Sequence, residues 1–209
     1  MALEVWIRRQ KYLLERPADL ESLWESMDQE DFGEDERIPY WVELWPAAIQ
    51  LAEWIAKHPE ECRGVRCLDL GCGLGLCTCV AAQASARVVG MDLERDAVRY
   101  TRRNLTGNNA SGSIVQMDWR MCGFKPGSFS LILAADVAYE KRFLEPLVSL
   151  VRQCLAPGGT ILLSTPQRDA ASSLFSMLQT LGWQRRLVSK ERIRFGQYDM
   201  NVQLWRIKV

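Results

Sequence analysis

Apolar positions in the second half of this chain alternate between short continuous runs and runs with helical spacing. The continuous runs have the length of buried strands and cover residues 65–70, 86–91, 113–117, 129–135 and 160–164. Helical spacing covers residues 76–84, 95–105, 142–154 and 168–181. Strands that alternate with helices of this length form parallel βαβ units, so the pattern predicts an α/β fold with a doubly wound sheet. The turn Pro157-Gly158-Gly159 is predicted to lead into the fifth strand.

Strand-like spacing also occurs near both ends of the chain. Residues 185–194 and 201–208 are predicted to form two strands joined through Gly196. This antiparallel pair would complete a mostly parallel, seven-stranded, Rossmann-like sheet at its edge. Residues 3–16 fit either a small hairpin, which we favour, or a short helix that ends before Pro17.

Two helices are predicted between the hairpin and the first strand of the sheet. Asp19 is a suitable cap for a helix whose apolar face carries Leu20, Leu23, Trp24 and Met27. Pro46 suits the first turn of a second helix that runs to about Lys57. Because the chain shows no internal repeat and no linker, we expect a single domain over residues 1–209. Residues 1–44 would be an extension packed on a core formed by residues 45–209.

Composition places the chain among ordinary globular proteins. It has 209 residues, of which 48% are hydrophobic and 25% charged. No apolar run approaches the length of a membrane span, and the first ten residues lack the apolar core of a signal peptide. We therefore expect a cytoplasmic protein without a membrane partner. No basic stripe with interleaved aromatic residues occurs, so a nucleic-acid partner is not predicted.

Charge and cysteine are unevenly distributed along the chain. Residues 1–64 contain 15 acidic and 7 basic side chains, and the acids concentrate at residues 28–36 (D-Q-E-D-F-G-E-D-E). We favour a solvated loop there over a docking surface for a basic partner. The seven cysteines are expected to be reduced, since nothing indicates secretion. Four of them recur every five residues, which is not a zinc spacing, so no metal site is predicted for Cys62, Cys67, Cys72 and Cys77.

A glycine-rich stretch at residues 66–76 (R-C-L-D-L-G-C-G-L-G-L) organises the predicted sheet. It reads as a buried strand, a turn with Gly71, Gly73 and Gly75, and the start of a helix. Glycines there let a ligand approach the backbone, and the helix directs free N–H groups at it. An ordinary strand–turn–helix corner is the alternative interpretation.

The spacing of these glycines decides between two nucleotide-type ligands. A dinucleotide fingerprint needs a small residue at the third position, where this chain has Leu76. Asp69, two residues before Gly71, would repel a pyrophosphate but could receive the ammonium group of an amino acid. A nucleoside joined to an amino acid therefore fits better than NAD, and the pattern indicates S-adenosylmethionine.

Acidic residues follow the next two predicted strands. Asp92 lies 21 residues after Gly71 and could accept hydrogen bonds from both ribose hydroxyls; its alternative role is to cap the helix that starts near Glu94. Asp118 could accept from the adenine amino group, with Trp119 as an apolar wall or else a core residue. Because ligands bind at the carboxyl ends of strands in doubly wound sheets, the three acids together form a stronger signal than any one of them.

The fourth predicted strand ends in A-A-D-V-A-Y, which brings Asp136 and Tyr139 to the same crevice. Enzymes that methylate base or glutamine amino groups often carry Asn/Asp-Pro-Pro-Tyr there, but this chain has Val137 and Ala138 in place of the prolines. A buried aspartate can hold an amine, and a tyrosine supplies a ring face and a hydroxyl. The alternative role for Asp136 is to cap the next helix.

These motifs together resemble the class I, seven-strand methyltransferases. Within that class, the segment P-Y-W-V-E-L-W-P-A-A at residues 39–48 is similar to the family 16 protein lysine methyltransferases, which include those acting on the electron-transfer flavoprotein β subunit. The resemblance covers residues 38–165 well and the termini loosely. It implies S-adenosylmethionine as the donor, Trp45 beside it, and Asp136 and Tyr139 near the target amine. Among the neighbours of these motif residues, the expected cofactor contacts also include Cys72, Leu93 and Ala135.

The expected reaction is N-methylation of a lysine side chain of a protein. The sulfonium methyl is already activated, so transfer depends on positioning and desolvation. No general base is evident, and we expect the amine to lose its proton to water while Asp136 orients it. Two alternatives stay open at this point: methylation of a small molecule at nitrogen or oxygen, and a non-catalytic partner-binding domain that retains the fold.

Overall fold

A computed structural model of the chain describes residues 1–25 and 38–209. The strands are β1 (Ala2–Ile7), β2 (Gln10–Glu15), β3 (Arg66–Leu70), β4 (Arg87–Asp92), β5 (Ser113–Gln116), β6 (Phe129–Ala135), β7 (Leu155–Pro166), β8 (Gln184–Phe195) and β9 (Tyr198–Lys208). The helices are α1 (Leu20–Glu25), α2 (Pro46–Lys57), α3 (Leu76–Gln83), α4 (Arg95–Gly107), α5 (Leu144–Cys154) and α6 (Asp169–Thr180). Within these two ranges, no helix is long and apolar enough to cross a membrane.

Seven strands form one sheet in the order β5-β4-β3-β6-β7-β9-β8. The first five of these strands run parallel, and β9 pairs antiparallel with both β7 and β8. The predicted fold class is therefore confirmed. The chain leaves β3 toward β4 on one side and returns to β6 on the other, which creates a switch point between β3 and β6. Doubly wound proteins bind their ligands in the crevice at such a point.

The core lies on both faces of the sheet because side chains along a buried strand alternate between the two faces. Cys67 of β3 and Leu131 of β6 face the layer formed by α2, α3 and α4, whereas Leu68 and Ile132 face α5 and α6. All four side chains are at most 3% exposed. This near-continuous apolar character identified the central strands in the sequence.

The N-terminal residues form the hairpin that we favoured over a helix. Val5, Ile7, Tyr12 and Leu14 are buried at alternate positions, a period that suits strands and not a helix. The hairpin is fastened to α4 by its backbone: Leu13 N donates to Asn108 Oδ1 at 3.0 Å, and Glu15 N to Asn104 Oδ1 at 2.7 Å.

The helix predicted after Pro17 begins as expected. Asp19 Oδ1 accepts a hydrogen bond from Ser22 N at 2.8 Å, which is the geometry of an N-cap, and α1 follows. Met27 and the acidic stretch at residues 28–36 lie outside the described residues.

The turn predicted at Pro157-Gly158-Gly159 is wrong. These residues lie inside β7, which begins at Leu155 directly after α5. Leu155 pairs with Phe129, and the register between β6 and β7 then shifts before Leu131. Pro157 and Gly158 thus mark an irregularity within a strand, a position where both residues are tolerated.

Candidate functional site

A cleft with a volume of about 270 Å³ opens at the carboxyl ends of β3, β4 and β6. Every predicted site residue except Asp118 lines this cleft. The predicted residues that line it are Trp45, Asp69, Gly71, Cys72, Gly73, Gly75, Asp92, Leu93, Trp119, Ala135, Asp136 and Tyr139. Convergence of residues from separate strand ends follows from the topology, since parallel strands direct their carboxyl ends to one edge.

The turn between β3 and α3 requires its glycines for two different reasons. Gly73 has φ of +52° and Gly75 has φ of +84°, a conformation that other residues adopt at a cost. A Cβ atom on Gly75 would in addition lie 2.7 Å from Cγ2 of Thr101 on α4. Gly73 therefore lets the turn adopt a positive φ beside the cleft, while Gly75 in addition permits close packing of the turn against α4.

Asp69 lies beneath this turn and is only 2% exposed. Its Oδ2 accepts a hydrogen bond from Thr78 Oγ1 at 2.5 Å. Burial raises the pKa of the Asp69 carboxyl to about 6, and the bond from Thr78 opposes part of that rise. An ammonium group nearby would favour the ionised form. Thr78 was not predicted as a site residue, because its position in the first turn of α3 reads as helix interior.

Asp92 connects the end of β4 to the glycine turn. Its Oδ2 accepts from Gly73 N at 2.9 Å, and its Oδ1 accepts from Glu94 N at 3.0 Å. Burial raises the pKa of this carboxyl to about 6. The N-cap residue of α4 is Glu94 and no side chain caps that helix, so the capping alternative for Asp92 is not realised. A carboxylate has about four lone-pair sites, so two backbone bonds leave acceptor capacity for hydroxyl groups of a ligand.

Asp118 and Trp119 take different positions. Asp118 caps the short 3-10 turn Trp119–Met121, where its carboxylate accepts from Arg120 N and Arg120 Nε, both at 2.8 Å. Asp118 does not line the cleft, and its contact with adenine stays a prediction. Trp119 does line it and packs against Phe143 at a centroid distance of 5.7 Å.

Asp136 has the geometry of a site residue and not that of a helix cap. Its φ is +54°, its backbone N donates to Ser164 O at 2.8 Å, and its side chain is 5% exposed. Oδ2 accepts from Arg168 Nη2 at 3.0 Å, while Oδ1 is buried without a hydrogen-bond partner among the described residues. Burial raises the pKa of this carboxyl to about 6, and Arg168 opposes the rise. The next helix, α5, begins only at Leu144, so the capping alternative is not realised.

Tyr139 belongs to a run of aromatic side chains that borders the cleft, which we call the aromatic arc. Successive ring centroids lie 5.0, 6.0, 5.3, 6.2 and 5.7 Å apart along Tyr198, Trp45, Tyr40, Tyr139, Phe143 and Trp119. Burial raises the pKa of the Tyr139 hydroxyl well above its usual range, so it is neutral at physiological pH. Aromatic faces of this kind favour apolar and cationic groups.

Several cleft residues escaped prediction from the sequence. Tyr40 stands in the segment P-Y-W-V-E-L-W-P-A-A, beside the predicted Trp45, and that position was its only signal. Phe143, Arg168 and Tyr198 had no signal, since each joins the cleft or its arc through contacts between distant elements.

Comparison with known proteins gives the family. Residues 28–181 match a family model described as lysine methyltransferase. The chain is 30% identical over 168 residues to the electron transfer flavoprotein beta subunit lysine methyltransferase of Xenopus laevis, covering 78% of this chain and 68% of that protein. It is 29% identical to the protein N-lysine methyltransferase METTL21A of Mus musculus, covering 65% and 66% of the two chains.

Solved structures agree on the fold. The YcgJ protein of Bacillus subtilis superposes with a TM-score of 0.64 at 14% identity, covering 76% of this chain and 97% of that one. A likeness at this identity concerns the doubly wound sheet and not the acceptor. With the matched family model and the glycine turn, strand-end carboxylates and aromatic arc in one cleft, the chain belongs to the lysine methyltransferase family.

Proposed function

We propose that this protein transfers the methyl group of S-adenosylmethionine to the ε-amine of a lysine in another protein. The observation that carries the proposal is the carboxylate of Asp136. It is buried beside Tyr139 in the cleft, and its Oδ1 has no partner in the part of the chain that the structure describes. An unpaired carboxylate oxygen in a buried site is costly unless a ligand supplies a donor. An amine supplies one.

The other end of the cleft fits the donor. Asp69 would receive the ammonium of its methionine part, Asp92 its ribose hydroxyls, and Trp119 would border the adenine. The glycine turn supports this assignment, since Gly71, Gly73 and Gly75 all line the cleft and all have positive φ. When bound, the donor supplies a sulfonium methyl group that is already activated for displacement.

The protein contributes position and surroundings to the reaction. Asp136 Oδ1 would accept an N–H of the incoming amine and fix its direction of approach. The aromatic arc, above all Tyr139, would exclude water and offer ring faces to the alkyl chain and its nitrogen. Orientation of this kind accounts for large rate effects in transfers that need no covalent intermediate.

Labelled donor and a whole-cell lysate that retains its small molecules test the proposal. We expect the label in protein, released on acid hydrolysis as methylated lysine, with the Asp136→Asn variant as the matched control that transfers little. Label found only in the small-molecule fraction would favour a metabolite as acceptor. Donor binding without any transfer would favour a partner-binding domain, and both results would contradict the proposal.

A cytoplasmic location and the absence of a nucleic-acid partner stay predictions. The lysate experiment bears on the second, because label in RNA or DNA in place of protein would contradict it.

A further inference from the structure

Asp136 forms an ion pair with Arg168, an arginine that has no role in the reaction proposed above. Arg168 lies between β7 and α6 and lines the cleft. Its Nη2 donates to Asp136 Oδ2 at 3.0 Å, and the two side chains are 31% and 5% exposed. The partly exposed guanidinium therefore occupies one oxygen of a buried carboxylate whose other oxygen faces no protein donor among the described residues.

The other charged groups of the cleft are engaged elsewhere. Arg142 pairs with Glu140 at 2.6 Å, and Glu43 pairs with Arg16. Two further carboxylates that line the cleft accept from protein donors: Asp69 from Thr78 Oγ1, and Asp92 from backbone N–H groups. Arg120 pairs with Asp118, and Glu94 and the neutral Tyr139 also line the cleft. In the described ranges, Arg168 is thus the cation in direct contact with Asp136.

We infer that Arg168 is a positioning residue that sets the protonation state of the acceptor amine through Asp136. The inference rests on the proposed lysine methylation. An isolated buried carboxylate would hold an ammonium strongly and keep it protonated. Because Arg168 already balances the charge of Asp136, an incoming ammonium gains less, whereas a neutral amine can still donate an N–H to Oδ1.

The consequence is that the bound amine loses its proton at a lower pH than it would beside Asp136 alone. The proton passes to water, and the nitrogen lone pair then forms the N–C bond. The C–S bond breaks with its electron pair going to sulfur, so the products are the methylated amine and the demethylated thioether. Arg168 thereby favours the neutral, nucleophilic amine without itself accepting the proton.

The pH dependence of methyl transfer tests this role in two variants. The probe is the lysate protein fraction, at saturating donor, with label counted in lysine. In Arg168→Gln we expect the acidic limb of the rate profile to move up by about one pH unit or more, with recovery of the rate at high pH. Arg168→Lys keeps a positive charge and should leave the limb near its wild-type position. Arg192→Gln, which removes an exposed arginine paired with Asp199 outside the cleft, controls for net charge.

A second measurement needs neither donor nor acceptor. Carbon-13 NMR of labelled aspartate in the full chain should show that the pKa of Asp136 is higher in Arg168→Gln than in wild type, and unchanged in Arg168→Lys. A rate lowered equally at every pH, or an Asp136 titration that does not move, would overturn the inference. If wild type transfers no label to lysine, the proposed function fails and the inference fails with it. If lysine is labelled but the acidic limb of the rate profile does not move in Arg168→Gln, only the inference fails.

Discussion

At the scale of single residues, three carboxyls in one cleft differ in the donors that hold them; Asp69 and Asp136 are buried, and Asp92 is half-buried. Asp69 is held by a threonine hydroxyl, Asp92 by two backbone N–H groups and Asp136 by an arginine. Burial raises the pKa of each to about 6. Such perturbed groups gathered in a cleft are typical of functional sites. These different partners fit the three proposed roles: Asp69 and Asp92 would bind the methyl donor, and Asp136 would bind the acceptor amine.

Replacing Asp92 should weaken donor binding. In Asp92→Ala the ribose hydroxyls and Gly73 N both lose their acceptor, so we expect a loss of about 1–3 kcal/mol in binding free energy. Isothermal calorimetry with S-adenosylmethionine measures it, and NADH serves as the comparison ligand. If NADH bound to wild type and S-adenosylmethionine did not, the identification of the donor would be wrong.

Replacing Asp136 should affect the reaction and not donor binding. Asp136→Asn preserves shape but removes the charge that orients the amine, so methyl transfer should fall by about 10²-fold or more at unchanged donor affinity. Tyr139→Phe should cost less, because the ring stays in the aromatic arc. Near-normal turnover of Asp136→Asn would exclude this residue from the mechanism.

At the scale of elements, two contacts set the shape of the cleft. Asp136 keeps its φ of +54° while its backbone N donates to Ser164 O of β7. The hydroxyl of Ser164 donates to Gln50 Oε1 of α2 at 2.8 Å, so α2 supports the same point. On the opposite side, Thr101 of α4 packs against Gly75 and donates to Gly73 O at 2.7 Å. Two helices of the same layer, α2 and α4, therefore hold the two sides of the cleft.

Replacing Gly75 by alanine should separate the two constraints that require glycine at this position, the positive φ and the close contact with Thr101. Gly75→Ala introduces backbone strain and a close contact with Thr101 Cγ2, and should lower the free energy of unfolding by about 2–4 kcal/mol. Thr101→Ser removes Cγ2 but keeps the hydroxyl, so the double variant should recover part of this loss. Urea denaturation of the four proteins gives the coupling. Strictly additive effects would show that only backbone strain matters.

At the scale of the whole molecule, the acidic cleft lowers the stability of the ligand-free protein. An aspartate in an unfolded chain has a pKa of about 3.9, whereas Asp69, Asp92 and Asp136 have values of about 6 in the folded chain. The folded state therefore binds more protons between these values. Its free energy of unfolding should fall as the pH rises from 4 to 6 through these groups, and stay lower above pH 6.

Removing one buried charge should accordingly stabilise the ligand-free protein. Asp69→Asn can still accept from Thr78, and we expect the free energy of unfolding at pH 7.5 to rise by on the order of 1–3 kcal/mol. The gain should shrink toward pH 4. Asp199→Asn is the matched control, since Asp199 is paired with Arg192 and Arg194 and its pKa is lowered, so no gain is expected there. A gain at pH 4.5 as large as at pH 7.5 would contradict the electrostatic explanation.

The sequence by itself determined the layered fold and most of one site. Apolar period and length identified β3, β4, β6 and the helices between them, because burial on both faces of a parallel sheet leaves a local signature. Residues at the carboxyl ends of such strands, as Asp92 and Asp136 are, then had to meet at one edge of the sheet. The glycine turn was identified from the spacing of its three glycines. Each of these predictions depends on residues that are close together in the sequence.

Only the tertiary structure decided which side chains contact one another within the cleft. Arg168 reaches Asp136 because β7 lies next to β6, and Tyr198 joins the aromatic arc because β9 returns antiparallel beside β7. Asp118 is turned to Arg120, a near neighbour that competes with any ligand for its carboxylate. Such outcomes depend on packing distances of a few ångströms between remote elements, and no periodicity along the chain encodes those distances.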